Sequence, residues 1–241
     1  MEHTREHHSV LAGAEKRLLV RIAGALPRWT SSDQLTVLAL AGMLITGLGY
    51  ALLRWDARAV WIPIAGLAIN WFGDSLDGTL ARVRHTERPR YGFYVDHVVD
   101  IVGATLLFGG LGASGLMSPL MALALLVAYL LVSAEVFLAT AVHRTFKLSF
   151  ARVGPTELRI ALAAGTLFLG RGAVDLGRLG AWLPFDLAAA CGTAGLLTAF
   201  AVSAVRNTVA LARLEPLPPR GDAATAAQPE RRRSARASSM A

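Results

Sequence analysis

The chain has 241 residues, of which 54% are hydrophobic before any of its 23 glycines is counted and only 17% are charged. Soluble domains carry roughly 25% charged residues and about 45 to 50% apolar ones with glycine included, so this composition argues against a water-soluble domain. The few charges are mostly basic, 24 Lys and Arg against 17 Asp and Glu, which suits a membrane protein facing anionic lipid; no nucleic-acid partner is expected. The single Cys191 cannot form an intramolecular disulfide, and no Cys/His set has zinc spacing, so neither device is expected to hold the fold.

The N-terminus has no apolar core followed by a small-residue cleavage site, so no secretory signal is expected. Residues 10–28 alternate Leu11, Leu18, Leu19, Ile22 and Leu26 with Lys16, Arg17, Arg21 and Arg28, and Trp29 follows. This pattern predicts an amphipathic helix lying on the membrane surface. Six apolar stretches then approach the length of about 20 residues that a transmembrane helix needs: residues 34–53, 59–81, 91–113, 117–142, 156–172 and 180–211. Residues 214–241, rich in Pro, Ala, Ser and Arg, are expected to be disordered. The expected fold class is therefore all-α, an integral membrane bundle of six transmembrane helices with an N-terminal interfacial helix. Its parts are residues 1–32, 33–213 and the basic tail 214–241. With the N-terminus inside, only Arg54, Arg58, Arg171 and Arg178 of the 24 Lys and Arg fall outside. Both termini are accordingly expected to be cytoplasmic.

Asp74, Asp77, Asp96 and Asp100 interrupt two of these stretches, and an ionisable residue within a span marks a functional site by default. Asp74 and Asp77 are spaced i,i+3, and Asp96 and Asp100 i,i+4, so each pair shares one helix face. The two helices are consecutive and antiparallel, joined by the basic segment Arg82 to Arg90. At about 1.5 Å per residue the four carboxylates can converge at one depth. Such a cluster in low dielectric requires compensation by protons, basic side chains or metal ions. Oxygen-only ligation suits Mg²⁺ or Mn²⁺, as one ion or two. The alternative is neutralisation by Arg82, Arg84 or Arg90, with the carboxylates merely fixing helix packing.

Gly78 and Ala81 are small on the acidic face, Arg82 offers a fork for phosphate oxygens, and Gly92 lets the third apolar helix begin close to its neighbour. Together these residues form the pattern D-x2-D-G-x2-A-R-x9-G-x3-D-x3-D, which closely resembles the signature of the CDP-alcohol phosphotransferase (CDP-alcohol phosphatidyltransferase) family of integral membrane enzymes. Asp33-Gln34-Leu35-Thr36 looks like the family's first-helix segment near the cytidine nucleotide. Gly154-Pro155-Thr156-Glu157-Leu158-Arg159 and the Asp96-His97 pair are similar to features of choline- and ethanolamine-type members. Pro89 departs from the pattern, since some relatives carry a small hydroxyl residue there.

The resemblance implies that Asp74, Asp77 and Asp96 bind one or two divalent metals, and that Asp100 completes the second site and accepts a proton. It implies that Asp33, Thr36, Gly78, Ala81 and Arg82 contact the CDP-linked donor, and that the protein is a homodimer. The expected reaction is attack by an acceptor hydroxyl on the donor phosphorus with release of CMP. The donor and acceptor are either CDP-diacylglycerol and a polar alcohol, or a CDP-alcohol and diacylglycerol. Arg144, Lys147, Arg152 and Arg159 either hold an acceptor phosphate or touch anionic lipid. Glu135, deep in the fourth stretch, lines the acceptor pocket or pairs with a neighbouring helix. His97, out of line with the Asp96 face, is read as a hydrogen-bonding residue near the metals. Gly42, Gly47, Gly109, Gly110 and Gly112 are read as helix-packing residues. Two other classes stay open, a cation- or proton-coupled transporter and a catalytically silent scaffold of the same fold.

Overall fold

The computed structural model describes residues 12–143, 155–168, 174–175 and 181–216. The expected residues Arg144, Lys147 and Arg152 and the tail beyond residue 216 lie outside them. Helix α1 spans Ala12–Ala25, α2 Ser32–Leu52, α3 Trp61–Val83, α4 Pro89–Ser114, α5 Pro119–His143, α6 Pro155–Phe168 and α7 Pro184–Leu214. A 3₁₀ turn, Ala57–Val60, leads into α3. The all-α expectation has one exception among the described residues: β1, Val174–Asp175, pairs antiparallel with β2, Ala181–Trp182. Chain contacts group residues 1–200 and 201–241 as two compact units.

Local chemistry sets the helix ends. Pro27 disfavours helical geometry at the residue before it, and α1 stops at Ala25. At the start of α2, Ser31 accepts from the Gln34 amide while the Gln34 side chain accepts from the Ser31 amide, a reciprocal capping box. Pro89 opens α4, where a missing N–H is no loss. Gly115 closes α4 with φ 79°, a left-handed geometry that glycine adopts without a Cβ penalty. Asp186, at the start of α7, accepts from the Ser118 amide at 2.7 Å and so caps α5.

Helices α2, α4, α5 and α7 are long and apolar enough to cross a membrane. Their outward side chains, among them Val37, Leu48, Leu123 and Leu138, are exposed, as hydrocarbon solvent permits. The protein is a membrane protein. The apolar run of α3 is interrupted by Asp74, Asp77 and Arg82, and the described part of α6, at 14 residues, is about 21 Å long.

Helix α2 is the central element, packing along both α3 and α4, while α3 and α4 barely touch each other. Small residues permit the close approach: a methyl on Gly42 would meet the Asn70 backbone nitrogen of α3 at 2.5 Å, and one on Gly110 would collide with the Gly47 backbone. Gly112 packs on Ala122, whereas a Cβ on Gly109 would meet nothing among the described residues. Gly92 is also open, so the close start expected there for α4 is not what this glycine provides. Two apolar clusters complete the core. Leu19 and Ala23 of α1 join Leu35, Leu76 and Leu80, while Tyr50, Leu107, Leu111, Met117, Ala122 and Phe185 unite α2, α4, α5 and α7. The Tyr50 hydroxyl shares a buried 2.8 Å hydrogen bond with Thr166 of α6.

Candidate active site

Asp74 of α3 and Asp96 and Asp100 of α4 converge across the opening between these helices. Each offers a carboxylate oxygen within 4.8 Å of the other two. Asp74 and Asp96 are partly buried and Asp100 is exposed. The i,i+4 spacing on α4 and the antiparallel course of α3 bring this about, with α2 as the shared support.

Asp77 is not one of the three. Its Oδ2 accepts from Thr36 Oγ1 at 2.7 Å, and its Oδ1 accepts from the Gly78 amide at 2.5 Å. The Ser32 hydroxyl donates to the Asp77 carbonyl at 2.7 Å, so the first turn of α2 is fastened to this stretch of α3. Thr36, expected at the nucleotide, thus holds Asp77.

Arg159 of α6 reaches the cluster. Its Nη2 donates to Asp74 Oδ2 at 2.5 Å and its Nε to Asn70 Oδ1 at 2.8 Å. The buried Asn70 in turn donates to the Ala39 carbonyl at 3.0 Å. A chain of polar contacts therefore runs from α2 through Asn70 and Arg159 to Asp74. Arg159 was expected at an acceptor phosphate or at anionic lipid, and Asn70 was not expected at the site, although an amide four residues before Asp74 in an apolar helix was a readable signal.

Arg82, Arg84 and Arg88 are engaged elsewhere. The Arg82 guanidinium lies over Gly78, 3.4 Å from where a Cβ would be, and donates to Thr79 Oγ1 at 3.1 Å. Arg84 donates to the Leu26, Pro27, Arg28 and Thr30 carbonyls. Asp33, exposed at the start of α2, pairs with Arg88, whose guanidinium sits 4.0 Å over the Tyr91 ring. That hydrogen bond raises the Arg88 pKa above its ordinary value, in a group that is charged regardless. Ala81 is partly buried beside Arg82. His97 Nδ1 donates to the Phe93 carbonyl at 2.6 Å, and its ring packs on Phe93 and Phe137, a hydrogen-bonded arrangement 3.9 Å from Asp96 Oδ2. Glu135 is buried in α5.

The sequence profile of the CDP-alcohol phosphatidyltransferase family matches residues 29–204. The chain belongs to this family. The match begins just after α1 and ends within α7, and so takes in the carboxylate cluster, Arg159 and the helices that carry them. No curated protein matches the chain. Members of the CDP-alcohol phosphatidyltransferase family transfer a substituted phosphate between a CDP-linked donor and an alcohol, generally with a divalent metal, which makes this protein a membrane transferase. The donor set fits such an ion. Hard carboxylate oxygens suit Mg²⁺ or Mn²⁺, and octahedral ligands at about 2.1 Å stand roughly 3 to 4 Å apart, so the three need to close only slightly.

Proposed function

We propose that the chain is a metal-dependent, phospholipid-synthesising transferase that moves a substituted phosphate from a CDP-linked donor to an acceptor hydroxyl and releases CMP. The convergence of Asp74, Asp96 and Asp100 across α3 and α4 carries this reading. Asp74, Asp96 and Asp100 would hold Mg²⁺ or Mn²⁺, as one ion or two, with Asp77 as a further ligand. A bound divalent ion supplies charge stabilisation for the pyrophosphate oxygens.

The residues of the chain do the rest. Arg82, over Gly78 and next to Ala81, faces the donor's phosphates with a planar fork, and Asp33 contributes at the nucleotide end. Asp100, the most exposed of the three carboxylates, takes the proton of the acceptor hydroxyl. The freed oxygen bonds to the donor phosphorus, and the bond from that phosphorus to the CMP oxygen breaks, yielding CMP and a phosphodiester. Orientation and preorganised charge lower the barrier, with no covalent intermediate on the protein.

The six-span topology is part of the same proposal. Helices α3 and α6 join the four longer apolar helices as spans, α1 lies in the membrane interface, and residues 33–213 form the catalytic domain. Both termini and the carboxylates face the cytoplasm, and two copies associate. The experiment offers purified protein in lipid, with Mg²⁺ or Mn²⁺, radiolabelled CDP-diacylglycerol or CDP-choline with a panel of acceptors. The expected result is metal-dependent CMP release from one donor, falling by about 10²-fold or more in Asp100→Asn. Absence of CMP release from both donors across the panel would favour a silent scaffold of this fold.

A further inference from the structure

A second polar junction lies beside the first. Trp71 Nε1 of α3 donates to Glu15 Oε1 of α1 at 2.8 Å, and Thr156 Oγ1 of α6 donates to the same oxygen at 2.6 Å. Trp71 precedes Asp74 by three residues and Thr156 precedes Arg159 by three residues, so each donor shares a helix face with its site residue. Helices α3 and α6 are thus tied twice. One tie passes through Glu15, and the other joins Arg159 to Asn70 and Asp74. Contact between the two helices is otherwise sparse compared with that of α2 and α3. The placement of the Arg159 guanidinium on Asp74 therefore depends on what fixes the start of α6.

We propose that Glu15 is a positioning residue for the metal site: one carboxylate oxygen of the surface helix α1 clamps the start of α6 to α3 and thereby sets Arg159 against Asp74. The proposal rests on the reading of Asp74, Asp96 and Asp100 as metal ligands. It gives α1 a role beyond lying on the membrane, since a displacement of α1 loosens the grip on Asp74. The clamp needs an acceptor oxygen at this position rather than a charge. An amide should therefore serve, and a methyl should not.

The test is Mn²⁺ binding to the full chain in lipid nanodiscs without substrate, followed by the paramagnetic resonance signal of the free ion, alongside thermal unfolding. Partners that orient metal ligands typically affect affinity by about 10- to 100-fold. One step further out, Glu15→Ala is expected to weaken Mn²⁺ by about three- to tenfold, Thr156→Val by less, and Glu15→Gln to restore binding to within about twofold. Unchanged affinity in a folded Glu15→Ala protein overturns the clamp and leaves the metal reading intact. Equal losses in Glu15→Ala and Glu15→Gln also overturn it, because the effect is then one of charge. If Glu15→Ala does not fold, Thr156→Val decides, and wild-type affinity there counts against the clamp. A wild-type protein that binds no Mn²⁺ removes the metal reading and the clamp together.

Discussion

Replacing Arg84 should release α1 from the bundle while leaving the other helices in place. The Arg84 guanidinium, at the end of α3, donates from Nη2 to the Leu26 and Pro27 carbonyls at 3.0 and 2.9 Å. Its Nη1 serves Thr30 and, at 3.4 Å, Arg28. These carbonyls follow the C-terminal end of α1, where backbone acceptors are left over and positive charge is favourable. Hydrogen bonds to a charged group contribute about 1.5 to 3 kcal/mol each in favourable settings. Arg84 is partly exposed, and four acceptors share one fork, so a figure of about 3 kcal/mol for the set is reasonable. Arg84→Met keeps the packing of the stem and loses that set. At about 1.4 kcal/mol per tenfold, the local opening of α1 should rise by roughly 100-fold. Hydrogen exchange resolved by peptide in nanodiscs reads this directly: amides of α1 should lose protection while those of α5 do not. Arg84→Lys should fall between, because one ammonium cannot reach all four carbonyls. Unchanged protection of α1 in Arg84→Met would refute the anchoring role, and apolar contacts of Leu19 and Ala23 would then be sufficient by themselves.

The helix crossings give a matched pair of variants. Gly42→Ala places a methyl 2.5 Å from the Asn70 nitrogen and 2.8 Å from the Gly66 oxygen, both backbone atoms of α3, and should cost about 1 to 3 kcal/mol by overpacking, read as a lower unfolding temperature. Gly109→Ala meets nothing among the described residues and should be neutral or slightly stabilising; equal effects at the two positions would contradict the packing. Orientation is tested by labelling single cysteines in a Cys191→Ser background with a membrane-impermeant maleimide. Arg17→Cys should react in inverted vesicles but not in intact cells, and Trp55→Cys the reverse. The opposite result would invert the topology.

The long apolar helices could be read from the sequence because bilayer thickness sets a length that composition reveals. The convergence of Asp74, Asp96 and Asp100 was legible for a similar reason, since helical period and antiparallel connection fix which faces meet. Asp77 shares the helix but not the cluster, and this depended on a hydroxyl from another element: Thr36 sits where it can take the Asp77 carboxylate. No spacing within α3 encodes that choice. The fifth stretch was expected to run to residue 172; α6 is described over Pro155–Phe168, and residues 169–172 lie outside the described residues.

The basic partner of the cluster shows most plainly where chain proximity misleads. Arg82, Arg84 and Arg90 lie closest in sequence to the four aspartates. However, Arg82 turns to Thr79, and Arg84 binds the carbonyls that follow α1. A partly buried carboxylate needs its counter-charge at hydrogen-bond distance, because desolvation makes each unmatched charge costly. What selects the partner is therefore which guanidinium can be delivered there with its remaining N–H groups satisfied. Arg159 reaches Asp74 with a second N–H satisfied, since Asn70 takes its Nε and Asp74 its Nη2. Asn70 is itself held by the Ala39 carbonyl of α2, so the helix that supports both arms of the carboxylate cluster also fixes its counter-ion. An arginine 85 residues away from Asp74 along the chain is preferred to nearer ones because the polar groups that accommodate it were already in place.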